Sequence, residues 1–375
     1  MAPDHAARTL YHPDRRSRIY CRIYYPEWIE TLTPAPSALA AKPPGPVPAG
    51  TAAPASANGP AAPGAPELPV LHTALDEWFE ASARELPWRA TECTPWGVLV
   101  SEVMLQQTPV VRVLPVWEEW LRRWPEPSDL ASEPAGEAVR AWGRLGYPRR
   151  ALRLHAAAVA IRDSHGGAVP GGYVDLLDLP GVGSYTAAAV AAFAFKSRET
   201  VVDTNIRRVH ARLVSGSALP SQALTAAEMR LATALLPQDP DASVRWNASV
   251  MELGALVCTA RAPKCGQCPV RNFCAWLAAG EPPPTYMPKG QAWHGTDRQV
   301  RGAVMAVLRV AEEPVAPELF HRAPADLGFE PHGIGIPLAA LHRLNAAPEQ
   351  LERALTGLLG DGLAELDRDG FRLPA

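Results

Sequence analysis

Between residues 67 and 285 apolar side chains return at every third and fourth position, segment after segment, which is the period of amphipathic helices. LHTALDEWFEASARE, TPWGVLVSEVMLQQ, PAGEAVRAWGRLG, RALRLHAAAVAIRDS and SYTAAAVAAFAF all read this way, with Pro and Gly punctuating the joins. Period-two alternation is almost absent, so the pattern predicts an all-α body over 67–290. A polar link over 286–298 leads to a segment of different character, 299–375. There RQVRGAVMAVLRV and EQLERALTGLLGDG read as helices, and LAELDRDGFRLP as a short hairpin turning at Arg368–Gly370. Helices followed by a β-wing predict a small winged-helix-like module. Residues 1–66 follow neither period. Their stretch PAPSALAAKPPGPVPAGTAAPASANGPAAPGAP predicts a disordered extension or linker. The basic and aromatic RRSRIYCRIYYPEWIE before it is read as part of that extension rather than as a nucleic-acid-binding arm.

Composition changes this picture little. The 375 residues, 47% of them hydrophobic, allow two or three domains. The net charge of −3 argues mildly against a nucleic-acid partner, but it is uneven. Residues 311–375 hold 5 Lys/Arg and 11 Asp/Glu, a balance of −6 that leaves the remainder at +3. A slightly basic body is compatible with DNA. No apolar run approaches the roughly 18 residues of a membrane span, and the N-terminus lacks the apolar stretch of a signal peptide. Six Cys do not make a disulfide scaffold in a chain this long. Four of them cluster, which favours a metal or cluster site in a reducing cytoplasm.

Those four, Cys258, Cys265, Cys268 and Cys274, are spaced C-x6-C-x2-C-x5-C. Four thiolates in one short segment suit a [4Fe–4S] cluster, one sulfur for each iron. The zinc alternative usually shows two C-x2-C knuckles, and here only Cys265 and Cys268 are so paired. The intervening TARAPK carries Arg261 and Lys264, a cationic loop suited to a phosphate. Upstream, YVDLLDLPGVGSYTAAAVAAFAF reads as helix, turn and helix. Gly181 and Gly183 permit a tight turn, and Ser184 is expected to cap the second helix, whose first N–H groups then favour an anion. That is a helix-hairpin-helix, a sequence-independent holder of a DNA backbone. Beyond it lies Asp203, a helix N-cap by position and a candidate buried carboxylate. A second carboxylate, Glu102 in SEVMLQQT, shares a helix face with Val98, Leu99 and Leu105. An ionised carboxylate is costly to bury there, so Glu102 is either exposed or raised in pKa.

Hairpin, following Asp and four-Cys loop together resemble the helix-hairpin-helix DNA glycosylases that carry an iron–sulfur cluster. SEVMLQQT, LPWR (86–89) and MELGALVC (251–258) are similar specifically to the adenine glycosylases of the MutY type. The resemblance covers about three-fifths of the chain. It implies a two-lobed all-α fold with a [4Fe–4S] cluster loop over 258–274, acting on DNA as a monomer in the bacterial cytoplasm, at the nucleoid. It implies that Glu102, held neutral by its pocket, protonates adenine at N7, while anionic Asp203 stabilises an oxocarbenium-like sugar. Asn205 and Tyr185 would position Asp203 and the intermediate. Tyr185 stands where endonuclease III-like relatives carry a strand-cleaving Lys, so no efficient lyase step is expected.

The same resemblance makes Trp88, Arg89, Leu105 and Glu252 the lining of a pocket for the flipped base, with Glu252 accepting from the exocyclic amine of adenine. Gln106 and Gln107 would reach into the duplex, and Tyr147 of RLGYPRR matches an intercalating region. Pro148 stands where the family often has a second aromatic. Residues 299–375 are too short and too helical for the Nudix-like domain with which many relatives read 8-oxoguanine. The expected substrate is adenine opposite 8-oxoguanine or guanine. A thymine/uracil–G mismatch glycosylase, which lacks the Glu of SEVMLQQT, and a non-catalytic DNA-binding cluster protein are the competing readings.

Overall fold

A computed structural model describes residues 68–287, 290, 292–322 and 333–375. The extension read over 1–66 lies outside them. The helical period translates directly into helices. In chain order these are α1 (Leu68–Ser82), α2 (Pro95–Leu105), α3 (Val110–Arg123), α4 (Pro127–Ala131), α5 (Ala135–Trp142), α6 (Arg149–Ser164), α7 (Tyr173–Leu177) and α8 (Ser184–Phe195). There follow α9 (Thr204–Leu213), α10 (Ala226–Leu235), α11 (Pro240–Leu256), α12 (Ala275–Ala278), α13 (Asp297–Val310), α14 (Glu318–His321), α15 (Gly335–His342) and α16 (Pro348–Gly360). Side-chain caps start several of them. Thr94, Asp203, Thr225, Asp239 and Thr296 each accept the N–H three residues on, worth about 1 kcal/mol apiece.

The body has two hydrophobic cores. One gathers α2 to α6 around Trp96, Trp120, Trp124 and Trp142, with edge-to-face ring pairs at 4.8 Å (Trp120–Trp124) and 5.8 Å (Trp120–Trp142). The other packs α1, α9 and α11 through Leu71, Leu75, Ile206, Val209, Val250 and Leu253. Helix α8 belongs to both. Ala187, Val190 and Ala191 face the first core, and Ala188, Ala189 and Ala192 face the second. A run of alanines is narrow enough to be covered on two sides, which is why SYTAAAVAAFAF has no polar face. Its N-terminus therefore opens at the seam between the lobes.

The C-terminal segment is not set apart. Val300, Val304 and Val307 of α13 and Leu355 of α16 join the first core with Val139 and Trp142. The expected hairpin is present. Strand β1 (Glu365–Leu366) pairs antiparallel with β2 (Phe371–Arg372), and Val315 bridges Phe371. Asp367 Oδ1 closes the turn by accepting from the N–H groups of Asp369 and Gly370. Backbone and ionic ties reach the body: Gly136 N–H to Pro374 O at 2.7 Å, Arg309 Nε to Val139 O at 3.1 Å, and Asp361 between Arg149 (3.2 Å) and Arg301. Among the described residues no helix is long and apolar enough to cross a membrane.

Candidate active site

Pro95 at the first position and the Thr94 cap start α2, and every residue from Trp96 to Met104 is buried. Glu102 is therefore carried inside by its helix, only 5% exposed. Burial lifts its carboxyl to about 7. The Tyr185 hydroxyl, donating to Oε2 at 2.8 Å, opposes this; the charge of Asp203 adds to it, and Arg89 subtracts. Tyr185 stands on the first turn of α8, and burial keeps its phenol protonated. Its hydroxyl is bonded to Glu102, while the expectation placed it beside Asp203 and the intermediate.

Asp203 is the N-cap of α9. Oδ1 accepts the Ile206 N–H at 2.6 Å, and Oδ2 accepts the Asn205 amide at 2.9 Å. Burial raises this carboxyl too, against those two donors and the Arg208 charge. Arg208 continues the chain, donating to Asn205 Oδ1 (2.8 Å), Gly254 O (2.7 Å) and Cys258 O (2.7 Å). Gly254 permits the contact, since a Cβ there would lie 2.7 Å from Asn205 Cβ. The Asp203 support thus runs through Asn205 to the carbonyl of the first cysteine. Arg208 was not anticipated. Its signal is an arginine pair four apart, Arg208 and Arg212, both buried on one face of α9.

Glu252 of α11 is fully buried, and its pKa is held at about 2 by arginines. Arg84 donates from N (3.1 Å), Nε (2.7 Å) and Nη2 (2.7 Å), and Arg89 from Nη2 (2.9 Å). Four donors fill the lone pairs of the carboxylate, so a base amine would have to displace one of them. Arg84 escaped the sequence reading because its partner lies 168 positions away. Arg89 ends the 3-10 turn Pro87–Arg89, its guanidinium 5.5 Å from the Phe79 ring. Trp88 packs edge-to-face on Trp117 at 5.6 Å in the first core, and Leu105 is half-buried against that core.

At the hairpin turn Gly181 takes φ +78°, which a side chain would disfavour, and a Cβ would meet Arg153 Cβ at 2.5 Å. Gly183 faces open space. One expectation is corrected here. Ser184 does not cap α8: it is the first helical residue, Gly183 is the N-cap, and no side chain bonds the first N–H groups. Nearby, Gln106 turns inward to Thr186 Oγ1 (3.2 Å), while Gln107 is exposed with φ +56°. Tyr147 is 46% exposed, with φ +49°.

The four cysteines lie where α9, α11 and the loop 258–274 meet, none of them in a disulfide. Burial pushes Cys268 up to about 11, and the charges of Cys258, Cys274 and Cys265 add to it. Burial and the charges of Cys258 and Cys274 raise Cys265 as well. Thiols that burden one another in this way suit a cationic iron core, which favours their thiolates. Arg212 donates to Cys258 Sγ at 3.4 Å and to Thr259 O at 2.7 Å. Arg261 and Lys264 are exposed on the loop between the first two cysteines.

Residues 100–233 match the model of the HhH-GPD superfamily of base excision DNA repair proteins, and 258–274 match the iron–sulfur binding domain of endonuclease III. An adenine DNA glycosylase of Mycobacterium tuberculosis is 47% identical over 307 residues, 81% of this chain and 94% of that one. One of Mycolicibacterium smegmatis is 45% identical, over 79% and 93%. The solved structure of a thermostable thymine-DNA glycosylase is 28% identical with a TM-score of 0.51, covering 56% of this chain and 97% of that one. The cofactor is a [4Fe–4S] cluster, and the substrate is DNA. Seam, hairpin, cluster loop and relatives agree, and the chain belongs to the adenine DNA glycosylases, within the helix-hairpin-helix superfamily of base-excision repair.

Proposed function

We propose that the protein, as a monomer in the bacterial cytoplasm and at the nucleoid, removes adenine mispaired with 8-oxoguanine or guanine. The observation that carries this reading is Glu102, a carboxylic acid with a pKa of about 7, hydrogen-bonded to Tyr185 and facing the charge of Asp203. The neutral acid gives its proton to N7 of the extruded adenine. The N-glycosidic bond then breaks with its electron pair leaving on the base. Asp203, held by Ile206 N–H and the Asn205 amide, stabilises the positive sugar until water adds at C1′ and loses a proton. Tyr185 offers no amine, so no Schiff base forms and the strand stays intact.

Trp88, Arg89, Leu105 and Glu252 shape the base pocket, with Glu252 acting through the arginines it holds. The Gly181–Gly183 turn, the start of α8 at Ser184, and Arg261 and Lys264 grip the phosphate backbone. Cys258, Cys265, Cys268 and Cys274 would hold the cluster, and their shared anchorage would fix the loop carrying those two cations. Residues 299–375 form a winged-helix-like module whose acidity disfavours tight phosphate binding of its own.

The test is single-turnover base release from duplexes with A opposite 8-oxoguanine, G or T, and with T opposite G, with alkali added to reveal abasic sites. Release of A opposite 8-oxoguanine and G, with cleavage only after alkali, is the expected result. Release of T opposite G is the signature of the competing mismatch glycosylase reading. Glu102→Gln and Asp203→Asn that both retain full release would remove the assigned roles.

A further inference from the structure

Arg150 is the second residue of α6, where a cation opposes the helix dipole and no acidic residue balances it. Its side chain is nonetheless buried, 6% exposed, and among the described residues its acceptors are backbone carbonyls and one hydroxyl. Nη1 donates to Val103 O (2.8 Å) and Met104 O (3.1 Å) in the last turn of α2, and to O of its C-cap Gln106 (2.5 Å). Nη2 donates to Thr108 Oγ1 (3.0 Å) and Gly146 O (3.1 Å). The guanidinium lies 5.6 Å from the Tyr147 ring centroid and 5.2 Å from that of Trp142. Thr108 ties the same two loops through Gln106 O and Leu145 O.

The two backbones joined in this way share an unusual property. Gln107 and Tyr147 are both exposed, non-glycine residues with positive φ (+56° and +49°). Such conformations persist only where their surroundings over-determine them. Arg150 supplies that determination on both sides at once, from one planar fork.

We propose that Arg150 is a positioning residue that locks Gln107 and Tyr147 in mutual register as the two probes entering the duplex. This rests on the reading of those side chains as duplex probes. Burial lowers the Arg150 pKa to about 10, so it keeps its charge at neutral pH. Its hydrogen bonds go to the end of α2 and the two loops that carry Gln107 and Tyr147, so its work lies in engaging and opening the duplex. A lysine ammonium cannot span the acceptors that the fork reaches.

The experiment is a double-mutant cycle. Arg150→Lys, Arg150→Met, the pair Gln107→Ala with Tyr147→Ala, and their combinations are assayed by single-turnover release from A·G and A·8-oxoguanine duplexes at varied enzyme concentration. Arg150→Lys is expected to raise the half-saturating enzyme concentration by about tenfold, and to add almost nothing once both probes are alanine. The pH midpoint of release is expected to stay where it is in the native protein. Visible cluster absorbance and the melting temperature identify properly folded variants, and Arg150→Lys serves if Arg150→Met does not fold. Fully additive effects, or a shifted pH midpoint at unchanged half-saturation, overturn the proposal. A native protein that releases adenine equally from every pairing would remove the mispair reading instead. The coupling would remain measurable, because it is scored on engagement of the duplex.

Discussion

At Glu102, protonation links activity and stability. The unfolded carboxyl ionises near 4.5 and the folded one near 7, so between those values the unfolded chain has lost a proton that the native protein keeps. Stability therefore falls as pH rises through that window, by up to about 3 kcal/mol. Base release falls as pH passes 7, where the acid is lost. Glu102→Gln is expected to reduce release by about 10²–10⁴-fold, yet to raise the urea midpoint at pH 8 and leave it nearly unchanged at pH 4. An equal change in midpoint at both pH values would contradict the buried-acid account. Glu252 has the opposite sign. Its pKa is lowered to about 2, so its contribution is complete above about 4.5 and disappears as pH falls through 2. Glu252→Gln leaves Arg84 and Arg89 without their counter-charge and is expected to destabilise the protein by about 3 kcal/mol at pH 7. Thermal melts at pH 7 and pH 3 measure this, and the deficit should shrink at the lower pH.

The hairpin is the element where two glycines that look alike in the sequence part company. Gly181 combines positive φ with a Cβ position 2.5 Å from Arg153, whereas Gly183 has φ −99° and open space. Gly181→Ala is expected to cost about 1–3 kcal/mol and to weaken binding of undamaged duplex; Gly183→Ala should be tolerated in folding. Urea melts and salt-dependent binding of an undamaged duplex separate the two, and equal melts would mean that the turn is not the constraint. The helix-turn-helix pattern, the apolar α8 and the C-terminal hairpin were legible because each depends on local period and turn chemistry. The cap of α8 was misread for a local reason as well: Gly183 can occupy the N-cap without a side chain, so the turn closes one residue earlier than Ser184 suggests.

At the scale of the whole molecule, the first of the two cores runs across the boundary that the hydrophobic pattern draws at residue 299. Val304 and Leu355 pack in the same cluster as Trp142, and Asp361 joins Arg301 to Arg149 beside Tyr147. Calorimetry is expected to show the first lobe and the C-terminal segment melting in one transition. Two well-separated transitions would show that the segment folds independently. Asp361→Ala should speed hydrogen exchange over residues 144–150, because that loop loses an anchor while its own sequence is unchanged.

Chemistry carried on short stretches of chain could be read without coordinates: the cysteine spacing, the hairpin, Asp203 at a helix start and Glu102 on an apolar helix. Those features depend on neighbours within a turn or two, and on the cost of burying charge. Everything that depends on distant residues meeting was decided by tertiary structure. Tyr185 is 83 positions from Glu102, Arg84 is 168 from Glu252, and Arg208 is 50 from Cys258. Arg150, 44 positions from Gln106, reads locally as one more surface arginine beside Arg149. Local period cannot reveal such partners, because a buried arginine takes its meaning from the carbonyls that packing brings to it, and packing follows the folding of two lobes onto α8.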